Sequence, residues 1–171
     1  RSRRQRQMCI RDSNQSTLKE IQRLKSTNII LVGGTQSISK SQETNLIKQG
    51  YNVRRISGKD RIDTSFEIAK ELSNLNQTKQ FDNAFLVHST KSIVDSASVS
   101  AAACRMNSPI LFVGNDIKSF KERYANYTFN NTYLIGGATA KLSKNFPNPI
   151  IIYGKNRNDT SMKIAYTFFK N

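Results

Sequence analysis

Short, continuously apolar runs bounded by turn-forming residues recur along the chain and alternate with segments whose apolar positions follow the helical period. The runs cover residues 28–32, 51–56, 84–87, 110–113, 132–135 and 150–153 and predict strands. Between them, residues 17–24, 39–49, 63–75, 93–106, 119–127 and 160–169 predict helices. Strands that are apolar without alternation are buried on both faces, so the pattern predicts an α/β fold with a parallel sheet covered by helices on both sides. Local signals agree. Ser39 with Gln42 has the spacing of a capping box, Gly50 stands where a left-handed helix end belongs, and Asp63 is placed to cap the helix that carries Phe66, Ala69 and Leu72 on one stripe.

The pattern also repeats. Leu31-Val-Gly-Gly-Thr35 returns as Leu134-Ile-Gly-Gly-Ala138. The segment Arg55-Ile-Ser-Gly-Lys-Asp-Arg-Ile-Asp-Thr-Ser65, continuing to Ile68-Ala69, returns as Ile152-Tyr-Gly-Lys-Asn-Arg-Asn-Asp-Thr-Ser161, continuing to Ile164-Ala165. Two motifs recurring in the same order mark tandem units. With a unit starting near the Gly-Lys-x-Arg turn, residues 14–54 are the end of one repeat, 55–151 a complete repeat, and 152–171 the start of a third, which is expected to continue beyond this sequence.

Composition narrows the function. The chain has 171 residues with 27 Lys+Arg against 12 Asp+Glu, a formal charge of +15. No run approaches the roughly 20 apolar residues of a membrane span. Residues 1–13 carry five Arg and one Asp, and Gln7-Met-Cys-Ile-Arg-Asp-Ser13 resembles the translation of a transposase adapter from sequencing libraries, so residues 1–13 are expected to be non-native. Without them the balance is 22 cations to 11 anions, or +11. Charge spread over repeated units points to an anionic partner, and no aromatic-and-basic segment supports nucleic acid. Cys104, in an Ala-rich stretch, is expected to be a small buried residue.

A strand, Gly-Gly-Thr/Ala, a helix, and a strand leading into Arg-Ile-Ser-Gly-x-Asp-Arg-x-x-Thr-Ser-x-x-Ile-Ala together resemble the cell-wall-binding repeat, type 2, of clostridial and related Gram-positive surface proteins. Ala84-Phe-Leu-Val, Asp95-Ser-Ala, the Ala-rich helix and Pro109-Ile-Leu-Phe112 extend the resemblance over nearly all of residues 16–171. Ser96-Ala97 stands where the family has Ala-Leu and Ile62 where it has an aromatic residue, while the last copy has Asn156 and Asn158 in place of Asp60 and Ile62. The resemblance implies flavodoxin-like or Rossmann-like units, commonly three packed as a pseudo-threefold trimer. It also implies no catalysis and no cofactor, secretion to the cell surface, and noncovalent attachment to an anionic secondary cell-wall polymer.

Candidate chemistry is sparse. The repeated cationic turn, Lys59 and Arg61 echoed as Lys155 and Arg157, lies beside a helix N-terminus and suits phosphate or carboxylate groups, while holding a loop or a repeat interface is an equal alternative. Arg55 joins this candidate set. Pro109, Ile110, Leu111 and Phe112 read as core strand; the family resemblance adds a link to polymer binding. His88, the single imidazole, stands at a strand end and is expected to be structural. Asp60, Asp63 and Glu67 are expected to cap and pair rather than act as acid and base. Gly33-Gly34 and Gly136-Gly137 leave one enzymatic alternative, a nucleotide site with its phosphates at these turns, although tight strand-to-helix turns are the favoured reading.

Overall fold

The computed structural model describes residues 15–170. They form two compact units that meet in sequence at Asp60 and Arg61.

The first unit comprises α1 (Gln15–Arg23), β1 (Asn28–Val32), α2 (Lys40–Lys48) and β2 (Asn52–Ile56). β1 and β2 run parallel, in register from Asn28 opposite Asn52 to Val32 opposite Ile56. The capping box at Ser39 is present: its hydroxyl accepts the Gln42 N–H, and the Gln42 side chain accepts the Ser39 N–H. Gly50 adopts φ +90° after α2, the conformation a glycine tolerates at a helix end.

The second unit contains α3 (Arg61–Asn76), β3 (Gln80–His88), α4 (Ile93–Arg105), β4 (Ile110–Val113), α5 (Ile117–Arg123), β5 (Thr128–Ile135), the single turn α6 (Gly137–Ala140), β6 (Ile150–Ile152) and α7 (Arg157–Phe169). Its four strands are all parallel, in the order β4-β3-β5-β6. The side-chain period of two divides the core into layers. Ala84, Leu86, Leu111, Val113 and Leu134 face one way and bury Ala69 of α3 and Phe120 of α5, together with Tyr124. Phe85, Val87 and Ile135 face the other way and bury Val99, Ala102 and Ala103 of α4 and Ile164 of α7. Ala84 through Val87 expose at most 1% of their surface, which accounts for the unbroken apolar run. Aromatic rings fill the first layer in edge-to-face pairs, Phe66 lying 5.3 Å from Tyr124.

Several expected elements end elsewhere, each for a physical reason. β3 and β5 extend beyond the apolar runs because Gln80–Asn83 and Thr128–Asn131 pair along a polar half in which Asn130 donates to Asp82 and Asn131 to Asn83. α5 starts at Ile117, since Asp116 accepts the Ser119 N–H, and it stops before Tyr124, whose ring turns into the core. α3 starts at Arg61, so Asp63 is not the cap; it stands in the first turn and binds Arg123. Cys104 is exposed rather than buried, because α4 turns Val99, Ala102 and Ala103 toward the sheet.

The free side of β4 is closed by α3. Ser65 accepts the Phe112 N–H at 3.0 Å and donates to the Ile62 carbonyl at 2.8 Å. One hydroxyl therefore satisfies an edge N–H that would otherwise lie unpaired beside the core. Ser65→Ala is expected to cost about 1–3 kcal/mol, and Phe85→Ala, which empties a fully buried site, about 3–5 kcal/mol. Chemical denaturation of the two variants measures both.

Candidate functional site

The repeated turn is visible in full ahead of α7. Gly154 lies so close to Asp159 that an added Cβ would overlap its carboxylate, and its N–H donates to the Thr160 hydroxyl at 2.9 Å. Asn156 is the helix cap, accepting the Asp159 N–H at 2.9 Å. Asp159 in turn accepts the Lys155 N–H at 2.8 Å, and Thr160 donates to the Asn156 carbonyl. Gly, Asn, Asp and Thr thus fix the turn, while the side chains of Lys155 and Arg157 stay exposed. Asn156 here performs the capping expected of Asp159, and its amide oxygen serves that role as well as a carboxylate.

This turn stands at the carboxyl ends of the second unit's strands, where open α/β sheets place their ligands. Asp95 and Ser92, both buried at the start of α4, fill the space beside Gly136. Gly136 has φ +86° and its N–H donates to the Ile152 carbonyl. A Cβ on Gly136 would fall inside contact distance of both side chains. Burial pushes the Asp95 carboxyl above its ordinary range, against the hydrogen bond from Ser92 and the nearby Arg157 charge, which pull it down. A carboxylate and a hydroxyl therefore occupy the position a phosphate would need at this turn, which speaks against the nucleotide alternative.

The remaining candidates separate by environment. Arg55 is largely buried within the first unit, donating to the Gly33 carbonyl at 2.7 Å and to Glu43 at 3.0 Å. Lys40 also donates to Glu43, and the hydrogen bonds from Lys40 and Arg55 hold that carboxyl below its ordinary range. Arg61 donates to the Ser89 carbonyl at 2.8 Å, tying α3 to the end of β3. Lys59 is exposed. Pro109 and Leu111 are buried and Ile110 and Phe112 half-buried, so this strand presents little surface. His88 is buried; its Nδ1 lies 3.4 Å from the Thr90 and Lys91 N–H groups and its Nε2 3.3 Å from Asn115. The structure thus brings Lys155 and Arg157 together with Asp95 at one end of the second unit, and it leaves Arg55 inside the first. Among the described residues no cluster of His, Cys, Asp and Glu is arranged to hold a metal.

Sequence reasoning missed Asp95 and Ser92 as members of this end of the sheet. Their spacing of three residues before the Ala-rich helix is the available signal, since such a pair brackets a helix start. It missed Arg123 as the partner of Asp63 because the two lie 60 residues apart.

The sequence model of the family described as Cell wall binding domain 2 matches residues 55–146, more than half of the chain. The chain belongs to that family. It is 28% identical over 153 residues to the N-acetylmuramoyl-L-alanine amidase LytC of Bacillus subtilis (strain 168), a match covering 86% of this chain and 29% of the relative. It is 29% identical over 135 residues to the amidase enhancer of the same strain, covering 79% and 17%. Among solved structures, Cwp8 from Clostridium difficile superposes with a TM-score of 0.73 at 30% identity, covering 91% of this chain and 27% of that one. Cwp6 from the same organism gives 0.75 at 24% identity over 94% and 27%, a likeness of fold. The chain spans under a third of the length of each of these proteins. It is a cell-wall-binding module, and no described helix is long and apolar enough to cross a membrane.

Two expectations follow from the Gly136 corner. Gly136→Ala combines a left-handed φ with a collision and is expected to cost at least about 1–3 kcal/mol, whereas Gly137→Ala meets only an ordinary contact at 3.6 Å with Tyr153 and should be tolerated. Thermal unfolding compares them. Asp95 has a raised pKa in the folded state, so folding retains its proton and stability falls as pH rises from about 3.9 through the raised value. Asp95→Asn removes that slope, so the variant should gain stability relative to the parent between pH 3 and pH 7 in urea titrations.

Proposed function

We propose that this chain is an anchoring module that holds a larger secreted protein noncovalently on an anionic cell-wall polymer at the surface of a Gram-positive bacterium, without catalysing a reaction itself. The observation that supports this most directly is the exposed cationic pair Lys155 and Arg157 on a rigid turn at the carboxyl end of the sheet, in a chain that belongs to a cell-wall-binding family. Lys59 stands at the matching position of the first copy of the motif and is equally exposed. These three are the polymer contacts of this reading, with Arg61 beside them. Arg55 and Pro109–Phe112 support the site from within, the former through Glu43 and the latter as edge strand.

Exposed cations suit a polyanion for two reasons. They lose little hydration on contact, and Lys and Arg heads on long stems adapt to phosphate or carboxylate groups at variable spacing. The repeat boundaries 14–54, 55–151 and 152–171, with packing of successive repeats around a pseudo-threefold axis, complete the reading. Relatives named as an amidase and an amidase enhancer fit a module carried by wall-acting proteins.

Contacts of this kind weaken as the screening length shrinks from ~10 Å at 0.1 M salt to ~3 Å at 1 M. Sedimentation with purified Gram-positive cell walls should retain the protein at low salt and release it at high salt. Lys155→Glu with Arg157→Glu should reduce retention several-fold without changing the unfolding midpoint, since neither side chain is buried. Undiminished retention on walls stripped of anionic polymer would refute the reading.

A further inference from the structure

The two copies of the Asp-Thr-Ser helix share a sequence register, Thr64 matching Thr160 at an offset of 96 residues, but they do not share an environment. On α3, Ser65 and Ala69 are buried against the β4 side of the sheet, and Phe66 packs with Tyr124 and Tyr127. Ser65 also binds the β4 edge through the Phe112 N–H. On α7 the matching residues are Ser161, Met162 and Ala165, and all three are exposed, Met162 at 55%. The face that α7 does bury, Thr160, Ile164 and half of Phe168, packs toward α4 and β6. Its counterpart on α3 leaves Ile68 37% exposed within the second unit. The same helix is therefore observed using one face in one position and the opposite face in the other.

We infer that the Ser161–Met162–Ala165 face of α7 is an interface for the edge strand and following helix of a further repeat of this kind, which α7 closes as α3 closes β4. Ser161 accepts an edge-strand N–H in the manner of Ser65, Met162 enters an aromatic cluster in place of Phe66, and Ala165 permits close approach. Asp159 stands where Asp63 receives Arg123, so the incoming helix presents a cation there. The identity of Ser161 with Ser65 and of Ala165 with Ala69, in contrast to the divergence of exposed neighbours such as Tyr166 from Lys70, favours a repeat over an unrelated protein as occupant. This inference rests on the tandem-repeat part of the proposed function and not on polymer binding.

The test extends the full chain after Asn171 by a copy of its own residues 76–156, which preserves the 96-residue offset and omits any helix equivalent to α3 from the added unit. A second extension adds residues 61–156 and so carries its own α3. In the first extended protein the added unit should fold, hydrogen exchange across Arg157–Phe169 should slow at least tenfold relative to the 171-residue chain, and Met162→Asp should unfold the added unit. The same substitution in the 171-residue chain should leave its midpoint within about 2 °C. An added unit that folds only with its own α3, or unchanged exchange in α7 beside a folded added unit, overturns the inference. Neither readout involves cell walls, so failure here is distinct from failure of polymer binding.

Discussion

Strand β3 offers water no face from Ala84 to His88, and the rest of the second unit follows from that constraint. A strand buried on both sides needs two helical layers and a hydrogen-bonding neighbour along each edge. β4 and β5 supply the neighbours, α3 and α5 one layer, α4 and α7 the other. The two layers differ in kind. Small residues on α4 let it lie close to the sheet, whereas the α3 and α5 side fills its space with Phe66, Phe120, Tyr124 and Tyr127. Burial also raises the Tyr124 phenol far above its ordinary range, so that ring is a packing group across the physiological range.

The conserved-looking vocabulary of the two repeats then divides into frame and surface. Gly154, Asn156, Asp159 and Thr160 spend their polar groups on one another and on backbone. Gly136, Ser92 and Asp95 do the same at the neighbouring corner. What remains outward is charge without an activated nucleophile or a base beside an open cavity. Chemistry of that sort can hold an ion or a polymer. It does not supply the paired acid and base or the oxyanion donors that turnover requires, and this separates the module from enzymes that share its architecture.

The sequence made the layers legible because burial on both faces leaves an unbroken apolar run, as at Ala84–Val87, and because the glycines at 33 and 136 stand at positive φ where no other residue is comfortable. The family was legible from motif order. Three features were not. The polar halves of β3 and β5 carry no apolar signal, since Asn and Asp side chains pair there across strands. Cys104 was read from its Ala-rich neighbours, although the helical period turns it outward. Arg55 and Arg157 look alike in their motifs, yet one closes a buried ion pair with Glu43 and the other stays in solvent, and the partner that decides this lies twelve residues upstream. Candidate-site reasoning from composition stops at that point, because burial of a cation is a property of the fold rather than of the residue.

Exposure of the cations also bears on how such a module could hold a polymer firmly. A single solvent-exposed ion pair contributes about 0–1 kcal/mol, so Lys155 and Arg157 alone give a weak site. A tandem array presents the same turn at a fixed interval, and a polyanion bound at one turn raises the effective concentration of its next segment at the following one, which can multiply affinity by ~10²–10⁴ without any new kind of contact. Rigid turns matter more in that setting than strong ones, since avidity is lost when the spacing of sites fluctuates. The internal hydrogen bonds of the Gly154–Thr160 turn are therefore as much a part of the proposed binding as the charges they display.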